Sequence, residues 1–139
     1  MKKIFALALT LSSVALAGAN RVYFENLKDG DTVTSPFKVK MGLEGMKVRK
    51  AGEAPDEKTT GHHHIIVDGG AAAAGIPIPN DEKHLHFGKG QTEVEVKLSP
   101  GEHTLTLQFA DGAHRSYGDK MATTIKVIVK EAAAKPEVK

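Results

Sequence analysis

Seven histidines and no cysteine set the chemistry open to this 139-residue chain. Five of the seven fall within 25 residues: His62, His63 and His64 run together, and His84 and His86 form an H-x-H pair. His103 and His114 follow. Imidazole is the commonest protein ligand for divalent transition metals and titrates near neutral pH. A group of imidazoles without thiolates points to Cu(II) or Zn(II), whereas Cu(I) and iron–sulfur centres draw on sulfur ligands. Met41, Met46 and Met121 form no clustered motif that would supply them.

Whether these imidazoles act together depends on strand phase, because successive side chains of a strand face opposite sides. With 62–67 as a strand, His62, His64 and Ile66 share one face and His63, Ile65 and Val67 the other. Around the second group, Leu85 and Phe87 share a face and His84 and His86 take the opposite one. If the aliphatic residues pack inward, His62, His64, His84 and His86 project from the outer face. Residues opposite each other on paired strands have Cβ atoms about 5 Å apart, close enough to share an ion. A solvent-accessible site of three or four imidazoles, His62, His64, His84 and His86, is thus expected, with a copper or zinc ion as cofactor.

His63 falls on the core side and is expected to be satisfied by a backbone carbonyl. His103 shares a face with Leu105, Leu107 and Phe109 and reads as a buried strand-end residue. His114, in the 111–114 turn, could join His63 and His103 in a second cluster. Asp68 and Asp111, just past strand ends, fit either the orientation of an imidazole or turn formation. The competing reading leaves the histidines bonded to backbone and carboxylates at the mouth of a loop, or facing a partner protein.

The elements that must position these residues read as strands. Phe37, Val39, Met41 and Leu43 alternate with Lys38, Lys40 and Gly42, and Val94, Val96 and Leu98 alternate with Glu93, Glu95 and Lys97. The stretches 103–109 and 124–129 repeat the pattern, and 22–24 opens it. Period 2 with one apolar face is what a half-buried strand requires. Turn signals at 28–31, 35–36, 68–70, 99–101 and 110–112 separate the strands. The pattern predicts an all-β fold, an immunoglobulin-like antiparallel β-sandwich of about seven short strands. Two long connections, 44–61 and 69–83, lie outside the strands; loops of that length in compact domains are often functional.

The N-terminus carries an export signature. Lys2 and Lys3 precede an apolar stretch beginning at Ile4, and small-residue cleavage sites follow at 15–17 and 17–19. Residues 1–19 are expected to be a cleaved bacterial Sec signal peptide, which makes the mature chain periplasmic or secreted with no transmembrane segment. Residues 20–130 would form one domain and 131–139 a flexible, solvated tail. Losing Lys2 and Lys3 takes the 19 basic residues to 17, matching the 17 acidic ones. A near-neutral chain with no basic patch among aromatics is not expected to bind nucleic acid.

Taken in order, FENLKDGDTVTSPFKVKMGLEGM, GHHHIIVDG and HLHFGKGQTEVEVKLSPGEHTLTLQFADGAH resemble a family of exported bacterial proteins known only as a domain of unknown function. The resemblance spans 22–129 and implies a single periplasmic domain without an assigned activity. No G-x-x-x-x-G-K-[ST] phosphate loop is present.

Three functions compete on these residues. The first is a periplasmic protein that binds or buffers a divalent metal ion. The second is a non-catalytic cell-envelope interaction module, with a cell-envelope protein as partner and structural histidines. The third is a copper enzyme, since H-x-H-F-G on a β-sandwich resembles copper–zinc superoxide dismutases in outline. Against it, no disulfide can form, and no run of zinc-loop histidines follows the H-x-H pair. A histidine-brace oxygenase needs histidine as first residue, whereas the two cleavage sites leave Gly18 or Asn20. Ser35, Ser99 and Ser116 lie in no G-x-S-x-G elbow. No catalytic residues are assigned.

Overall fold

The computed structural model describes residues 18–132. The expected signal peptide, up to residue 17, and the expected C-terminal tail, from 133, lie outside the described residues. Nine strands run in order: β1 (Arg21–Phe24), β2 (Asp31–Ser35), β3 (Phe37–Glu44), β4 (Lys47–Val48), β5 (Thr60–Val67), β6 (His84–His86), β7 (Glu93–Val96), β8 (Gly101–Ala110) and β9 (Ala122–Glu131). A 3-10 turn at Asp119–Met121 precedes β9, and no α-helix occurs among the described residues. None of their helices is long and apolar enough to cross a membrane.

The strands form two sheets. One has the order β1-β3-β7; the other runs β2-β9-β8-β5-β4, with β6 also paired to β5. The alternating apolar residues meet between them. Phe24, Val39, Met41 and Val96 from the small sheet pack with Ile65, Val67, Leu105, Leu107, Phe109, Val127 and Val129 from the large one. Each such side chain stabilises the fold by about 1.5–3 kcal/mol on burial. With no cysteine in the chain, this core has no disulfide to assist it.

The all-β, two-sheet character agrees with the sequence reading, but its purely antiparallel seven-strand sandwich does not describe the molecule. Strand β2 pairs parallel to β9, and β4 pairs parallel to β5. The 28–31 turn accounts for the first. Asp31 folds it by accepting from Lys28 N–H at 2.8 Å, and Asp29 then accepts from the Lys126 N–H of β9 at 2.7 Å. The chain leaving β1 is thereby tied to β9 before β2 begins.

A second departure matters more for the histidines. Strand β5 is buried along its whole length, and β8 is buried on both faces from Leu105 to Ala110. The outer face, expected to meet solvent, is roofed by the 69–83 connection. Gln108 on β8 accepts from Ala72 N–H at 3.1 Å and donates to the Gly118 carbonyl at 3.0 Å. Thr106 donates to the Gly69 carbonyl at 2.8 Å, and Ser116 to the Ala72 carbonyl at 2.8 Å. Buried polar groups of this kind are stable only when so partnered. They pin the connection across the sheet.

Candidate metal centre

Strand β5 carries the histidine triplet in the expected phase. His62 and His64 share the outer face, and His63 opposes Phe109 on the core face. The β5–β6 register sets His64 opposite His86 and Ile66 opposite His84. All four outer-face histidines therefore project to the same side, but at different heights along the strand.

Register decides which of them meet. One ring nitrogen from each of His62, His64, His86 and His114 lies within 4.8 Å of the other three. His62 Nε2 stands 3.1 Å from His114 Nδ1 and 3.2 Å from His86 Nε2. Four nitrogens at the usual zinc bond length of about 2.0–2.1 Å would stand about 3.3 Å apart in a tetrahedron. Five of the six ring-centroid separations run from 4.6 to 5.1 Å, and the sixth, His64 to His114, is 6.0 Å. The residues present fit a divalent ion.

The structure thus brings together three of the four histidines expected to converge, and His114 takes the fourth place. His84 sits two residue pairs further along β6, where its Nδ1–H donates to Asp81 at 2.7 Å. Asp81 also caps the turn by accepting from the Lys83 and His84 N–H groups. His84 opens β6 and is tied to the turn before it.

His114 arrives from the 111–115 turn, which Asp111 builds. Asp111 Oδ1 accepts from the N–H groups of Ala113 and Arg115, both at 2.9 Å, and Oδ2 accepts from Arg115 Nε at 2.7 Å. Burial opposes the charge on Asp111, but these donors and the guanidinium outweigh it and hold the carboxyl below its usual range. His114 itself has φ 65°, a left-handed conformation uncommon outside glycine and found where surrounding structure imposes it. Of its two expected roles, Asp111 takes turn formation.

Asp68 takes the other role, though at a different histidine. It accepts from His103 Nδ1–H at 2.8 Å, while His103 Nε2 lies 2.8 Å from the Ser99 carbonyl. Partial burial disfavours the charged His103 ring, yet Asp68 and the Ser99 carbonyl raise its pKa overall. His103 is a half-buried tether between β8 and two turns, and the second cluster of His63, His103 and His114 does not form.

Burial controls the charge of the remaining rings. His62 and His64 are 0% and 1% exposed and His86 and His114 are half-buried, so the site expected from alternation to be solvent-accessible is largely buried. Burial, reinforced by His114 and His86, drives the His62 pKa down to about 4. Burial together with its four imidazole neighbours takes His64 to about 2. The His86 pKa is lowered for the same reasons. These rings are neutral at physiological pH, the form that ligates metal. His62 Nδ1 and both nitrogens of His64 have no hydrogen-bond partner. A buried polar atom left so costs about 1–3 kcal/mol, which a lone pair bound to a cation would offset.

His63 lies on the core side as expected, but no backbone carbonyl reaches it. Both its nitrogens are unpartnered, and the ring meets Phe109 edge-on at 5.1 Å. Burial alone lowers its pKa to about 4.

Two glycines make room for the cluster. At Gly61 a Cβ would overlap the Ala110 carbonyl, so β5 and β8 can close beside His62 only without a side chain. At Gly88 a Cβ would run into the His86 ring. A cavity of about 250 Å3, lined by His64, His86 and His114 with Ile78, Asn80 and Ala113 among the rest, opens onto the cluster. The 69–83 connection contributes that wall, a role its sequence gave no sign of beyond its length.

Comparison with curated proteins and with solved structures finds no match. A family model does match, over residues 39–130, about two thirds of the chain, and that stretch contains all four clustered histidines. The chain belongs to the family described as a domain of unknown function, DUF4399.

Proposed function

We propose that this chain is a periplasmic, non-catalytic metal-binding protein that holds one divalent transition-metal ion, zinc or copper, on His62, His64, His86 and His114. The observation that carries this reading is the convergence of four imidazole nitrogens, from two strands and a turn, within 4.8 Å of one another. Burial supports it by keeping His62, His64 and His86 unprotonated, so an ion has few protons to displace there. A square arrangement would show two long diagonals among the ring separations; only one pair, His64 and His114, is long. That favours a near-tetrahedral ion such as Zn(II), while the affinity order of the divalent metals favours Cu(II). The Lys2-Lys3 start, the apolar stretch after it and the small residues at 15–19 support export.

The ion would supply Lewis acidity, and in the case of copper a redox couple. The chain's own residues hold and orient. Strand β5 fixes two imidazoles, the Asp111 turn aims a third, and the 69–83 roof limits water. Calorimetric titration of tag-free protein with Zn(II) and Cu(II) tests the assignment. One ion per chain is expected with Kd below about 10 μM, weakened at least about tenfold in His86→Ala and His114→Ala and unchanged in His84→Ala. Weaker binding by the native chain, or equal binding by His86→Ala, overturns the assignment.

A further inference from the structure

We infer that the ion held by the four imidazoles keeps a coordination position open to a small inorganic anion, which enters through the cavity walled by His64, His86 and His114. The inference rests on the metal reading above and deepens it.

The four ligands are not equally placed. His62 is fully buried and does not border the cavity, whereas His64, His86 and His114 all do. An ion at the centre of the four would therefore be covered on the His62 side and approachable through the triangle of the other three rings. The cavity volume of about 250 Å3 corresponds to roughly eight water molecules at about 30 Å3 each. That admits a diatomic or triatomic species without any movement of the chain.

Charge selects the sign of the visitor. Metal-ligating imidazoles are neutral, so a divalent ion there would keep both its positive charges. Asp111, the carboxylate whose charge is felt at His62, already engages Arg115 at 2.7 Å, with Lys58 at 3.6 Å. No carboxylate borders the cavity. Pro77, Ile78, Pro79 and Ala113 supply the carbon of its wall, beside which attraction between opposite charges is screened less than in water. Asn80 is the one hydrogen-bonding side chain there besides the imidazoles, and its amide N–H groups suit an anion.

Azide is the probe. Cu(II)-loaded protein is titrated with it, following the near-ultraviolet charge-transfer absorption and the electron paramagnetic resonance spectrum. A saturable new band with altered copper parameters is expected. Ala113→Phe, which narrows the cavity from an exposed position and replaces none of the four ligands, is expected to weaken azide binding at least about tenfold while copper stays bound. A four-nitrogen copper spectrum indifferent to azide overturns the open position and leaves the metal reading standing. Azide binding unchanged in Ala113→Phe overturns the route. Failure to bind copper or zinc at all overturns both readings together.

Discussion

Lowering the pH of the metal-free protein from about 8 to about 5 makes three buried imidazoles compete with unfolding for protons. An unfolded histidine titrates near 6.5, whereas His62 and His63 are held down to about 4 and His64 to about 2. A depressed folded pKa contributes stability that is present above 6.5 and lost as pH falls towards the folded value. Each group then loses about 1.4 kcal/mol per pH unit, or about 2 kcal/mol at pH 5, and the three together about 6 kcal/mol. Domains of this size are stable by only about 5–15 kcal/mol. His86 adds to the loss, while His103, whose folded pKa is raised, contributes stability below 6.5 and returns part of it. The buried Asp111 carboxyl is held below its usual range, so its titration falls beneath this window. Urea unfolding followed by far-ultraviolet circular dichroism should show stability falling by about 4 kcal/mol per pH unit near pH 5.5, close to three protons. A slope under about 1.4 kcal/mol per unit, less than one proton, would refute the buried neutral cluster.

Two glycine substitutions separate folding from the site. Gly61→Ala sets a Cβ against the Ala110 carbonyl, backbone that cannot rotate away, and should destabilise by about 3 kcal/mol in the same urea assay; a loss under about 1 kcal/mol would contradict the close approach. Gly88→Ala meets mainly the His86 ring, a side chain that can move. It should cost under about 1 kcal/mol of stability while weakening Zn(II) binding about tenfold by calorimetry, and unchanged affinity would argue against His86 as a ligand.

Alternation made faces legible but not heights. Val39, Met41, Val127 and Val129 point inward as their spacing predicts, and so do His63 and Ile65. Period 2 says nothing of register, and a shift of two residues preserves every face. That is why His84 looked equivalent to His86 until β6 was seen to pair His86 with His64. His114 was legible only as a turn residue, because the Asp111-Gly112 signal predicts a bend and not its destination. The outer face was misread for a physical reason. Thr106 and Gln108 look solvated in sequence, yet their polarity serves the backbone of the roof above them. Parallel and antiparallel neighbours share the same alternation, so the β2–β9 pairing left no trace in the pattern.

The four histidines are mounted on supports of unequal strength. Two stand on a strand laddered to β8 over six residue pairs, while His86 rides on a three-residue strand and His114 on a turn. Peeling β6 and that turn away breaks far fewer contacts than opening the sheet, and local openings of this kind are the cheapest a fold offers. An ion held by all four rings would then be lost at the pace of that opening, so its removal by a chelator would be timed by the protein, however much chelator surrounds it.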